Sequence, residues 1–154
     1  MQTNTNLRLL QTLEGDPWEI NAYIKHGGYE AWQKCVWEKN PNRVIDLLKR
    51  ASLRGRGGAG FPTGLKWEKV LNHRIKERYF VCNAGEHEPG TFKDRYLIKH
   101  APHQLIEGCL IASFTVGAKK SYIYINVEFE EEQSNLERAL RQARDRGFLG
   151  MNVL

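Results

Sequence analysis

Apolar positions along the chain recur first at helical spacing, then in compact runs, then at helical spacing again, and each change of period marks an element. Ile20, Tyr23 and Ile24 fit a short helix that His26-Gly27-Gly28 ends. Ala31, Trp32, Cys35 and Val36 share the apolar side of a second helix over Tyr29 to Trp37. Asn40-Pro41 interrupts the pattern. Asn42 is the expected cap of a third helix over Arg43 to Ser52, on which Val44, Leu47, Leu48 and Ala51 recur at helical spacing. Thr63 is the expected N-cap of a helix through Leu71. Arg78 to Asn83, R-Y-F-V-C-N, is an apolar run of strand formers and predicts a buried strand. Pro102 opens a long apolar helix through Val116, with Leu105, Ile106, Cys109, Leu110 and Ser113 on one side, and Gly117 closes it. Ser121 to Val127 predicts a second strand, and Glu131 to Arg146 a last helix with Leu136, Ala139, Leu140 and Ala143 inward and Gly147 as its stop. At the two ends, Leu7, Leu9, Leu10 and Leu13 suggest a marginal helix stopped by Gly15, and Asn152-Val153-Leu154 the start of a further strand.

Strand, long crossover and strand form a βαβ unit, which is parallel and right-handed in nearly all proteins. The expected fold class is therefore α/β: N-terminal helices, a glycine-rich loop, then a Rossmann-like parallel βαβ sheet domain that is truncated. The expected division is a helical segment over 1–52 and an α/β domain over 53–154. Ligands of open α/β sheets bind outside the carboxyl ends of the strands, which here singles out Asn83 to Glu88 and Asn126 to Glu128.

Composition narrows the classes without choosing among them. The 154 residues suffice for one domain, and 41% hydrophobic and 27% charged content is ordinary for a globular protein. No apolar run is long enough to cross a bilayer, and M-Q-T-N-T-N carries no basic and apolar leader, so a cytoplasmic location is expected. The net charge of +5 suits nucleic acid, a phosphate-bearing cofactor or an acidic partner alike. Cys35, Cys82 and Cys109 form no C-x-x-C pair, so buried structural thiols are expected, with neither a zinc nor an iron-sulfur site.

Candidate chemistry begins at Leu53 to Trp67, L-R-G-R-G-G-A-G-F-P-T-G-L-K-W. Gly55, Gly57, Gly58, Gly60 and Gly64 allow positive φ or a ligand's approach to bare backbone, and Arg54, Arg56 and Lys66 add positive charge. Exposed N–H dipoles beside cations favour a phosphate group. The spacing Gly55-x-Gly57-x-x-Gly60 also matches the dinucleotide fingerprint, but that motif needs a strand before it, and the pattern upstream is helical. The loop is then a different nucleotide loop, or none. A single R-G-G element without interleaved aromatics is a poor footprint for nucleic acid, which is not expected as a partner.

Taken with the second stretch, Cys82 to Arg95, C-N-A-G-E-H-E-P-G-T-F-K-D-R, the loop resembles the NADH-binding flavoprotein subunit of respiratory complex I, an NADH-quinone oxidoreductase, whose relatives serve NAD-linked hydrogenases and formate dehydrogenases. The resemblance runs from about Tyr23 to Leu154 and covers the family's N-terminal part only. It implies FMN under the glycine loop and NADH stacked above it, with hydride passing to the flavin and electrons leaving singly to a cluster. By motif position it assigns Gly55, Arg56, Gly57, Gly58, Lys66, Asn83 and Glu86 to FMN, and Phe61 and Glu88 to NADH. No side chain is assigned as a chemical catalyst, because the cofactor carries the redox step. Thr91 to Arg95 is expected to be structural, with Lys93, Asp94 and Arg95 pairing around a turn.

The chain departs from the family pattern at three places. Gly85 stands where the family usually has Asp, His87 where it has a small or neutral residue, and Asn126-Val127-Glu128-Phe129 where it reads R-G-E-Y. The family's further glutamate-rich loop and its cluster cysteines would lie beyond Leu154. The resemblance therefore implies an FMN- and NADH-binding part of an NADH dehydrogenase, working with other subunits of an electron-transfer complex and associated with a membrane only through them. The alternative is a non-catalytic paralogue or fragment that serves as an assembly module.

Overall fold

The computed structural model describes residues 18–150, so the expected leucine helix before Gly15 and the strand after Asn152 lie outside the described residues. The order of elements is α1 (Ile20–Lys25), α2 (Glu30–Glu38), α3 (Pro41–Arg50), α4 (Thr63–Leu71), β1 (Tyr79–Ala84), α5 (Lys93–His100), α6 (Pro102–Val116), β2 (Lys120–Ile125) and α7 (Glu130–Asp145). The two strands are neighbours in one parallel sheet, joined by the α5–α6 crossover, so the α/β class holds. Two caps fall elsewhere than expected. Asn40, and not Asn42, accepts the Arg43 N–H at 3.2 Å, because Pro41 is preset for the first helical position and draws the helix start back. Thr63 is itself the first residue of α4, behind Pro62, and makes no side-chain cap. Helix α5 is an addition to the expected elements: T-F-K-D-R reads as a charged turn, but Lys93 opens a helix.

The chain divides into two compact units. Among the described residues, one comprises 18–30, Asn83–Glu107 and 125–150; the other comprises Ala31–Cys82 and Gly108–Tyr124. In the first unit α7 packs against α1 and α5, and Ile20, Tyr23, Ile98, Ile106, Leu136, Ala139 and Ala143 are buried. Its core also contains polar groups. The Glu107 carboxyl group accepts from the Tyr23 hydroxyl at 2.5 Å and from the Tyr29 N–H at 2.9 Å. Nε2 of His103 lies 3.1 Å from the Trp18 carbonyl and 3.0 Å from Oε1 of Gln142. Two acceptors there place the ring proton on Nε2, so Nδ1 accepts from the Tyr29 hydroxyl at 2.9 Å. Tyr29 has a φ of 65° and is fully buried. A left-handed backbone costs a non-glycine residue roughly 1–2 kcal/mol. The bond to the Glu107 carboxyl group offsets this with about 1.5–3 kcal/mol, and stacking of the ring 4.1 Å from Phe148 adds to it.

In the second unit α3 lies against α4, and Gly64 makes the approach possible: a Cβ there would stand 2.9 Å from Cγ and 3.1 Å from N of Lys49, and 3.2 Å from the Ile45 carbonyl. The sheet is less buried than expected. Along β1 exposed and half-buried residues alternate up to the buried Ala84, since the strand has one neighbour. Helix α6 covers one sheet face, where Ser113 Oγ meets Ser121 Oγ at 2.6 Å and the Cys109 thiol is hydrogen-bonded to Cys82. That bond, with burial behind it, raises the Cys109 thiol well above its ordinary value; all three cysteines are half-buried. Arg78, just before β1, is buried and donates to four carbonyls: Ile75 at 3.1 Å, Val116 at 2.8 Å, Leu71 at 2.8 Å and His73 at 2.9 Å. Its charge thereby sits at the C-terminal ends of both α4 and α6, where the helix dipoles favour a cation. The expected inner face of α6 is corrected too: Ile106 is buried, but so are His103, Glu107, Ala112, Thr115 and Val116, and Leu105 and Leu110 are only half-buried.

Candidate functional site

The glycine loop belongs to the second unit, and it leaves a helix, as the upstream spacing implies. Helix α3 ends on Ser52 with φ 50°, the Ser52 and Leu53 N–H groups turning back to the Lys49 and Leu48 carbonyls at 3.0 and 3.2 Å. An antiparallel bridge between Arg54 and Pro62 then closes the loop, with Gly55 N–H on the Phe61 carbonyl and Thr63 N–H on the Leu53 carbonyl, both at 2.9 Å. Gly58 and Gly60 take φ of 120° and 61°, and a Cβ at Gly57, Gly58 or Gly60 would meet nothing within 4 Å. Backbone is thus bare over this stretch. Arg54 donates to the Gly60 carbonyl at 3.2 Å, which ties the loop to itself, while Arg56 stays exposed. Lys66 is exposed in the first turn of α4, where its charge opposes the helix dipole and an intervening anion would relieve it. Phe61 is 46% exposed, with the Lys69 ammonium 5.8 Å from its ring centroid.

The second signature belongs to the first unit. Asn83 Oδ1 accepts the Gly85 N–H at 3.0 Å, and Gly85 does not take positive φ, so its backbone suits other residues as well. Glu86 is buried, its side chain 3% exposed. Its Oε1 accepts the Asp94 N–H at 3.0 Å and lies 3.9 Å from Nζ of Lys93, which itself pairs with Asp94 at 2.6 Å. Oε2 of Glu86 has no hydrogen-bond partner among the described residues. A buried carboxylate oxygen left open is costly, and a ligand N–H would satisfy it. Glu88 is exposed and begins a turn in which Pro89 and Gly90, φ 76°, bring the Thr91 N–H to the Glu88 carbonyl at 3.1 Å. The pairing of Lys93 with Asp94 is as expected, whereas Arg95 lies over the Phe129 ring, 5.8 Å from its centroid.

Of the candidate residues, Gly55, Arg56, Gly57, Gly58, Phe61 and Lys66 are neighbours on one loop and helix of the second unit, and Asn83, Glu86 and Glu88 are neighbours on one turn of the first. Asn126, singled out in the sequence by its place past the second strand, is given no role of its own there. It is 6% exposed and donates from Nδ2 to the Glu86 carbonyl at 3.2 Å, where the departure from R-G-E-Y signals only a loss. The available signal is a short amide side chain just past the carboxyl end of a strand.

Residues 48–154 match the family model of the Nuo51 FMN-binding domain. The chain belongs to that family. The F subunit of the NADH-quinone oxidoreductase of Aquifex aeolicus (strain VF5) is 44% identical over 153 residues, 99% of this chain and 35% of the relative. Its counterpart in Rickettsia typhi (strain ATCC VR-144 / Wilmington) is 51% identical over 120 residues, 78% of this chain and 28% of the relative. Among solved structures, an NAD+-reducing [NiFe]-hydrogenase in the H2-reduced state superposes with a TM-score of 0.66 at 40% identity, over 71% of this chain and 19% of the hydrogenase chain. The chain spans about a third of the length of the curated relatives it matches. Within the Nuo51 FMN-binding family, the bare glycine backbone fits a phosphate and the open oxygen of Glu86 fits a ring N–H donor. No helix among the described residues is long and apolar enough to cross a membrane.

Proposed function

We propose that this chain is the FMN- and NADH-binding part of an NADH dehydrogenase. The observation that carries the reading is Oε2 of Glu86, a buried acceptor without a partner among the described residues, in a side chain otherwise fixed on the N-terminus of α5. In this reading the N–H groups of Gly55 to Gly58, with Arg56 and Lys66, hold the FMN phosphate, and Asn83 and Glu86 orient the ring system. Phe61 supplies a face for the adenine of NADH, and Glu88 lines the nicotinamide side. Residues 53–154 are the cofactor-binding domain, and 1–52 the segment that leads into it. Bound FMN would supply the redox chemistry, accepting hydride and releasing electrons one at a time to partner subunits. The chain's own part is orientation, charge and exclusion of water. The setting is cytoplasmic, with any membrane association made through partners.

Titration of the purified chain with FMN, followed by quenching of flavin fluorescence, tests the reading. Lys66→Ala removes a charge-assisted bond to the phosphate, and Gly57→Val sets a branched side chain on backbone that must approach it. A bond to a charged group is worth about 1.5–3 kcal/mol, so affinity falls roughly 10- to 150-fold. Identical titrations for wild type and both variants would remove the loop from the site. The second reading, a non-catalytic assembly module, is favoured by Gly85 in place of the family's carboxylate, and it predicts no flavin uptake by a folded chain even with partner subunits present.

A further inference from the structure

Asn126 stands one residue past β2, and its buried amide is costly unless its hydrogen-bonding groups are engaged. They are: Nδ2 donates to the Glu86 carbonyl at 3.2 Å and lies 3.3 Å from Nδ1 of His87, and Oδ1 accepts the Glu128 N–H at 3.0 Å. These partners fix which way the amide points, since a backbone carbonyl takes only a donor and a backbone N–H only an acceptor. One side chain thus ties the turn after β1 to the segment after β2. Glu86 is what it holds. The backbone of Glu86 is anchored at its own carbonyl by Asn126, and its carboxylate at Oε1 by the Asp94 N–H at 3.0 Å. With both ends fixed, the direction in which Oε2 is offered is fixed as well.

We propose that Asn126 is a positioning residue for the cofactor, setting Glu86 so that Oε2 meets a ligand N–H donor. The inference rests on the flavin reading for the identity of the ligand, but the clamp can be tested without it. Asn126→Asp separates its two bonds: Oδ1 still receives the Glu128 N–H, while the donor to the Glu86 carbonyl is replaced by an oxygen that repels it. Loss of the clamp frees Glu86, and the consequence appears at Asp94, which is bonded to Glu86 and not to Asn126.

Amide hydrogen exchange on the full chain without ligand is expected to show the Asp94 N–H exchanging about tenfold faster or more in N126D, with the Glu128 N–H and the α7 amides still protected. FMN affinity is expected to fall about tenfold or more in N126D, measured well below its lowered melting temperature so that the folded variant is compared. Asn126→Ala, which loses both bonds, exposes the Glu128 N–H in addition. Asp94 exchange within twofold of wild type in folded N126D overturns the clamp, whatever FMN does. An open Asp94 with FMN affinity unchanged overturns the cofactor role. If wild type takes up no FMN while Asp94 opens in N126D, the clamp stands and the flavin reading is what has failed.

Discussion

At Gly85 the carboxylate that the resemblance implies is missing, and Glu86 is its neighbour in the turn. A flavin N–H taken out of water without an acceptor costs about 1–3 kcal/mol, and Oε2 of Glu86 is the buried acceptor that the turn still offers. Since Gly85 does not need positive φ, aspartate can stand there without backbone strain. Gly85→Asp is expected to strengthen FMN binding about five- to tenfold, by a second acceptor and by a stiffer turn. Calorimetry on the two proteins decides the matter: an equal or weaker affinity in a folded aspartate variant would show that Glu86 alone suffices. Single residues are the least legible scale in the sequence. Glu107 and His103 are polar letters within the helical pattern after Pro102, and Arg78 opens the predicted strand; nothing in the sequence marks them as buried hydrogen-bonding centres. Their partners include residues far along the chain, 74 residues away for His103 with Tyr29, 78 for Glu107 with Tyr29 and 38 for Arg78 with Val116.

Elements are far more legible, because periodicity and punctuation act locally. Helix α6 runs from Pro102 to Val116 as expected: proline suits the first turn, and Gly117 with φ 68° accommodates the reversal at the end. Helix α5 escapes notice because Lys93, Asp94 and Arg95 hide its start and Ile98 alone is buried along it. Its N-terminus is satisfied by Glu86, eight residues back, and no local cap announces it. Gly64 shows the same limit from the other side. Within the glycine loop it looks like one more flexible position, yet it is there to let α3 reach α4. Gly64→Ala forces a methyl group against the backbone of Lys49 and Ile45 and is expected to cost about 1–3 kcal/mol. Urea denaturation of the two proteins gives that difference; a loss below about 0.5 kcal/mol would mean that the helices part without penalty.

For the molecule as a whole, the α/β class and the family are legible in the sequence, while the division into two discontinuous units is not, because it depends on tertiary contacts alone. A global consequence follows from the buried His103. Burial lowers its proton affinity, against smaller opposing effects from Gln142 and the Trp18 carbonyl. Above the ordinary histidine value of about 6.5 both folded and unfolded chains hold it neutral. As pH falls below that value the unfolded chain takes up a proton that the folded chain refuses, so stability is lost toward acid, by at most about 1.4 kcal/mol per pH unit from this group. Melting temperature measured from pH 7 to pH 5 should therefore fall, and fall less steeply in His103→Gln, even if that variant melts lower at pH 7. Parallel curves for the two proteins would clear His103 of any part in acid sensitivity.

The four carbonyls gathered by Arg78 bear on how the chain can be altered. Residues 72–77 form an exposed polar connection, the kind of place where a peptide tag or a few extra residues are normally inserted without harm. Here Leu71, His73 and Ile75 are all held by one guanidinium that also reaches Val116. The connection has a fixed length, and a longer one would have to release either the end of α4 or the end of α6. For anyone labelling or splitting this protein, the surface loop that looks most permissive is the one to leave alone.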